Sequence, residues 1–301
     1  MRSQFYFHGN SLPQNFSKHM TAKEIVAQVS NLPVMPAATL KLLQLLENPM
    51  ENTQAALDVI QTDAVLSAKL LRLCNSAAIG LRKPVASVEQ AVFFLGFREV
   101  QRLALALGLG GSLKRKPKLS EEDGRDLWQH AVMTAYAATL IAPEIHTLKE
   151  DSSVAFTAGL MHDIGKLVLG EIHTLETLAD IRNRVAGGMA QGEAERAVLG
   201  ASHADVGSCL LETWRMPEIL IEPVGNHHTP VFEPEPQLSV LIHLADCVVH
   251  QMGCEPAWPA FAERVNQAAA LSVGFGAPQL TFVMKSLGEQ MEKVTQFALA
   301  A

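Results

Sequence analysis

From Thr21 onward, apolar residues recur three and four positions apart in segment after segment, and the segments stop at proline, glycine or a polar cluster. That spacing lines one face of an α-helix, and no stretch reads as a convincing strand. The chain is therefore expected to be all-α. Helix starts carry their own signals. Thr21 followed by Glu24, and Ser87 followed by Gln90, have the spacing of capping boxes, in which each side chain satisfies a free backbone N–H of the first turn. The segment beginning at Ser87 is expected to break near Gly96 and to end at Gly110–Gly111. Asp151 or Ser152 caps a long apolar helix running through "DSSVAFTAGLMHDIGKLVLGEI", and Pro217 opens another at "PEILIEPVGNHH". Leu and Ala are abundant and aromatics make up 6%, a balance that favours helices over sheets.

The segments fall into two groups. Residues 1–20 are polar and irregular and read as a flexible arm. Residues 21–112 form a first helical subdomain. Residues 113–124, "LKRKPKLSEEDG", hold basic residues around Pro117 followed by acids, and read as an exposed charged linker. The basic run is a solvated loop or a phosphate-facing patch. Residues 125–252 form a second helical subdomain, and 253–301 are capping helices.

Of the 301 residues, 48% are apolar and 18% charged, ample for a core. A net charge of −7 gives no general attraction for nucleic acid or an anionic membrane. No window approaches the roughly 18 apolar residues of a membrane span. Cys74, Cys209, Cys247 and Cys254 are far apart, with no Cys-x-x-Cys pair, and read as free thiols. A cytoplasmic location is expected.

Chemistry gathers in the second half. Within "GLMHDIGKLVLG", His162, Asp163 and Lys166 interrupt an apolar run, where each costs desolvation free energy unless it has a partner. A satisfied polar patch, an acid–base pair or a metal site would each explain them. His130, His203, His227 and His228 also stand among apolar or small residues, and Asp246 lies in "LIHLADCVV". Imidazoles and carboxylates together suit Zn, Fe, Ni or Mn, and this many exceed one tetrahedral shell. The surplus points to two ions bridged by a shared carboxylate. His8, His19, His146, His173, His243 and His250 read as surface or packing residues, His243 being one turn from Asp246.

The series His130, "HDIGK" at 162–166, "ASHADVG" with His203, "NHHTP" with His227 and His228, and "HLAD" ending at Asp246 resembles the HD superfamily of metal-dependent phosphohydrolases. Its order is similar to that of the HD-GYP branch, although no Gly-Tyr-Pro segment follows "NHH". The first half, with "NLPVMPAATLKLLQLLENP", "LSAKLLRLCNSAAIG" and "VASVEQAVFFLGFREVQRLALAL", resembles the HDOD family, the HD-related output domain of bacterial signalling proteins. The likeness runs from about Lys23 to Asp246. It implies a multi-helix HD-like bundle in two helical subdomains. It also implies a metal set of His130, His162, Asp163, His203, His227, His228 and Asp246, holding about two divalent ions of Fe, Mn, Ni or Zn. Asp126, four residues before His130, is a further acidic position of that pattern.

Two functions follow from this. The preferred one is a regulatory output module that works by contact with a signalling protein or a small-molecule ligand. The alternative is an active phosphohydrolase acting on a nucleotide or cyclic dinucleotide. There Asp163 bridges the ions, and Lys166 neutralises a phosphate oxygen rather than snorkelling to solvent.

Overall fold

A computed structural model describes residues 20–29, 35–47, 51–77, 79–113, 121–145, 151–172, 174–235, 237–253 and 265–300. These residues contain no strand. The first half holds α1 (Ala22–Gln28), α2 (Ala37–Gln44), α3 (Thr53–Thr62), α4 (Ala64–Cys74), α5 (Val88–Leu95) and α6 (Phe97–Leu113). The second holds α7 (Glu121–Ile141), α8 (Ser152–Met161), α9 (Ile164–Ile172), α10 (Leu175–Ala186), α11 (Gln191–Leu199), α12 (His203–Thr213), α13 (Glu218–Asn226) and α14 (Leu238–Gln251). Two more helices follow, α15 (Gln267–Ser272) and α16 (Ala277–Ala300). The fold is the expected all-α one.

The caps behave largely as their spacing demands. Thr21 and Glu24 form the reciprocal capping box. At Ser87 the hydroxyl accepts from the Gln90 N–H, but the Gln90 amide oxygen accepts from the Ala86 N–H at 2.8 Å, one residue before the cap. Asp151 caps α8 by accepting from the Ser153 N–H at 2.8 Å. Gly96 separates α5 from α6 with φ +83°, a left-handed backbone that a side chain would strain.

Several expectations need correction. The glycine pair 110–111 does not end α6, which continues to Leu113. Helix α7 begins at Glu121, inside the stretch read as a linker; residues 114–120 of that stretch lie outside the described residues, as does the arm up to residue 19. Most important, the apolar segment 151–172 is two helices rather than one. Helix α8 stops at Met161, α9 starts at Ile164, and His162–Asp163 is the corner between them. The polar pair thus sits at a helix junction, not on a helix face.

The core of the second half is built on α7, which packs against α8, α14 and α16. Trp128 and Phe156 fill it. Helix α12 packs on α9 and α13, and α1 from the first half also lies on α12. Two glycines set the α9–α12 approach. A Cβ on Gly165 would overlap the His203 carbonyl oxygen and come within 2.7 Å of the Gly207 nitrogen, while one on Gly207 would meet Val224 Cγ1 at 2.9 Å. Backbone touches backbone here because neither residue has a side chain. Asp163, before α9, and His203, at the start of α12, are thereby brought together.

Candidate metal centre

Helix ends, not helix faces, supply most of the site. His162 is the C-cap of α8 and His227 the C-cap of α13. In both, Nδ1 lies in the last helical turn against the carbonyl oxygen three residues back: Gly159 O at 2.7 Å and Val224 O at 2.9 Å. A carbonyl only accepts, so Nδ1 carries the hydrogen and Nε2 faces inward. His203 is the first residue of α12. Its Nδ1 lies 2.6 Å from Glu195 Oε2, and the same oxygen accepts the His203 backbone N–H at 2.7 Å. Its Nε2 is likewise turned inward. His130 comes from the middle of α7, and Asp246 from α14.

The inward atoms converge. Nε2 of His130 and of His162 lie 3.3 Å apart, and Nε2 of His203 and of His227 3.4 Å. His228 Nε2 stands 2.7 Å from His203 Nε2. The two oxygens of Asp163 face different neighbours. Oδ1 looks toward His203 Nε2 at 3.4 Å and His227 Nε2 at 4.0 Å, whereas Oδ2 looks toward His162 Nε2 at 3.3 Å. Asp246 Oδ1 is 2.9 Å from His130 Nε2 and 3.6 Å from His162 Nε2. Neither Asp163 Oδ1 nor Asp246 Oδ1 receives a directed hydrogen bond, although both are buried. All seven residues expected from the sequence are therefore in one place, and His228 alone is partly exposed. Asp126 is not among the converging groups.

Electrostatics follow from this crowding. Burial pushes the Asp163 and Asp246 carboxyls up, but the surrounding cations and imidazoles outweigh it and hold both well below the ordinary carboxylate range. Burial pulls His162 down, yet Asp163 and Asp246 beside it raise it to about 10. His227 goes the other way: burial and three neighbouring imidazoles keep it well below its ordinary value, and hence neutral. Burial also lowers His130 and His203. Lys166 is 2% exposed, and its Nζ donates to Asp163 Oδ2 at 2.7 Å. It does not snorkel to the surface.

The donor set fits metal ions. Two atoms bound to one ion at about 2.1 Å stand about 3.0–3.4 Å apart, the separation seen for several of these pairs. Imidazole nitrogens turned toward one another, beside two buried carboxylate oxygens that receive no directed hydrogen bond, form a donor set that a cation would satisfy. Each of His162, His203 and His227 has its other ring nitrogen anchored, as ligating histidines ordinarily do.

Three residues outside the expected set lie against the site. Glu195 on α11 is fully buried and orients His203, a role with no counterpart among the expected residues. His250, read as surface or packing, is 6% exposed, with Nε2 3.3 Å from Asp246 Oδ1. His243 is buried and holds the His227 carbonyl through Nδ1 at 2.8 Å, and its Nε2 accepts the Asn266 N–H at 2.9 Å, so it braces the site without entering it. Of the remaining histidines, His8, His19, His146 and His173 lie outside the described residues.

Residues 32–230, two thirds of the chain, match the HDOD domain family. This chain belongs to the HDOD domain family. A structure of a candidate signal transduction protein from Marinobacter aquaeolei VT8 superposes with a TM-score of 0.74 at 25% identity, covering 93% of this chain and 61% of that one. A candidate phosphohydrolase from Shewanella amazonensis SB2B superposes with a TM-score of 0.68 at 24% identity, over 92% of this HDOD chain and 97% of its own; at that identity the likeness is one of fold. An uncharacterized protein of Treponema pallidum is 26% identical over 216 residues, 71% of this chain and 41% of its own length. The HDOD chain thus spans less than half of that relative. Among the described residues, no helix is long and apolar enough to cross a membrane.

Proposed function

We propose that this HDOD protein is a regulatory module of signal transduction that holds divalent metal in its His/Asp cluster and works by contact with a partner protein or a small ligand. The observation that carries the reading is the burial of the site, where His228 alone of the seven donors is partly exposed. His130, His162, Asp163, His203, His227 and Asp246 are each at most 3% exposed. The crevice that reaches Asp163, lined by Trp128, Leu160 and Leu167 among others, has a volume of about 10 Å³, room for about one water and not for a nucleotide. Lys166 is engaged with Asp163 rather than aimed at an approach path. The Marinobacter relative named as a signal transduction protein supports the same reading. So does the exposed aromatic pair Phe93 and Phe94 on α5, apolar area of the kind that partner contacts cover.

His203, His227, His228 and Asp163 Oδ1 would hold one ion, and His130, His162, Asp246 and Asp163 Oδ2 the other. When bound, the ions supply the positive charge that the converging lone pairs and carboxylates lack, so that binding appears as folding stability. Glu195 keeps His203 Nε2 turned inward. Asp163 faces both groups and joins them.

Hydrolysis of a phosphodiester is the second reading. It is favoured by the completeness of the donor set, Lys166 included, and by the likeness in fold to the Shewanella protein. In it, Lys166 turns from Asp163 toward a phosphate oxygen.

Chelation and reloading separate the two. Purified protein is expected to carry about two equivalents of Fe, Mn, Ni or Zn by elemental mass spectrometry. Stripping the metal is expected to lower the melting temperature by on the order of 5 °C or more, reversibly on reloading. The reloaded protein is expected to leave bis-p-nitrophenyl phosphate and cyclic dinucleotides intact. Turnover that disappears with His162→Ala would give the hydrolytic reading instead. Metal-free protein that takes up no metal on reloading would overturn both. Glu195→Ala is expected to weaken metal binding about 10–100-fold, the usual effect of losing a residue that orients a ligand, as measured by competition with a chromophoric chelator.

A further inference from the structure

Helix α14 carries more than Asp246 to the cluster. His250 lies one turn further along the same face, four residues on. Its side chain is 3% exposed, so it is not a solvated histidine at a helix end. Its Nε2 stands 3.3 Å from Asp246 Oδ1, the oxygen that His130 Nε2 approaches to 2.9 Å. The His130 and His250 rings are 4.9 Å apart, centroid to centroid, and tilted by 42°. Asp246 Oδ1 receives no directed hydrogen bond, and His250 Nδ1 has no hydrogen-bond partner. Two imidazoles thus flank one buried carboxylate oxygen, and the potential donor atoms of the three residues lie within 4.8 Å of one another. A packing histidine in such a place would satisfy itself against a carbonyl, as His243 does one helical turn earlier than Asp246 and on the same helix.

We infer that His250 is a metal ligand, which with His130 and Asp246 forms a donor set for a divalent first-row ion at the α14 end of the cluster. Two imidazoles and one carboxylate are the mixed nitrogen and oxygen set that suits Zn, Fe, Mn or Ni. The donors come from two helices that pack directly, α7 and α14. This rests on the reading that the cluster binds metal, and it assigns the second ion a ligand beyond those the sequence pattern supplies. It also gives that ion a position displaced from His203 and His227 toward the far end of the site.

The test is stepwise reloading of the stripped full-length protein with Co²⁺ alone, read by stoichiometry and by the visible absorption of the bound ion, for wild type, His250→Ala, His250→Asn and His203→Ala. The expected result is that both His250 variants lose one of two equivalents, or bind it at least 10-fold more weakly, and alter the spectrum of that ion. His203→Ala would instead disturb the other equivalent. Unchanged stoichiometry, affinity and spectrum in both His250 variants, with loss in His203→Ala, would make His250 a hydrogen-bonding neighbour and overturn the inference while leaving the metal site intact. Absence of Co²⁺ binding in the wild type would overturn the metal reading itself. Far-UV circular dichroism of the stripped variants confirms that each is folded before loading, and His250→Asn serves if His250→Ala is not.

Discussion

Asp163→Ala is expected to remove all bound metal and about 3–5 kcal/mol of stability together. Lys166 is buried and its Nζ donates to Asp163 Oδ2 at 2.7 Å, so deleting the carboxylate leaves an ammonium without its counter-charge in the core. The same deletion takes away the residue whose two oxygens face the two groups of imidazoles. The two losses are separable. Asp163→Ala combined with Lys166→Met removes both charges, and replacing a buried pair by apolar groups is often neutral. The double variant is expected to recover most of the stability of metal-stripped wild type in urea unfolding and to bind no metal. A single Asp163→Ala variant that retained two equivalents by elemental analysis would end the assignment of the whole cluster.

Gly165→Ala is expected to be as damaging, although it adds one methyl group. That methyl would overlap the His203 carbonyl oxygen and crowd the Gly207 nitrogen. Both obstacles are backbone, so α9 and α12 must move apart as bodies. Overpacking of this kind costs about 3 kcal/mol or more, and it draws His203 away from Asp163. The variant is expected to melt well below wild type and to hold less metal. Gly288→Ala on α16 is the matched control. Nothing lies within 4 Å of a Cβ there, and alanine is the better helix former by about 1 kcal/mol. The same substitution is expected to destabilise at one position and to stabilise slightly at the other, as measured by thermal melts of the two proteins.

The all-α fold and most helix starts can be read from the chain because their determinants are local. Apolar spacing, Thr21, Ser87, Asp151 and Pro217 act within one or two turns. The seven clustered residues are legible for a related reason: a charge or imidazole amid Leu, Val and Ala has to have a partner. What escapes is set by distant contacts. "GEAER" around Glu195 has the look of a solvated face, and only the docking of α11 beside the start of α12 turns that carboxylate inward. His250 precedes Gln251 and the end of α14, where a histidine ordinarily meets water. The corner at His162–Asp163 carries no proline, and the apolar pattern continues across it. The glycine pair 110–111 shows the converse error: a terminator in isolation, yet α6 runs past it to Leu113.

His162 and His227 are C-caps whose rings are aimed by the carbonyl one turn behind them. Their direction is therefore a property of where α8 and α13 stop, not of the space they point into. An α-helix turns by about 100° per residue. One residue inserted into either last turn would swing its imidazole out of the cluster, even with every donor still present in the chain. The spelling of the motif is thus only half of the specification. The other half is phase, and a relative with the same letters but a helix one residue longer would lose that imidazole from its site.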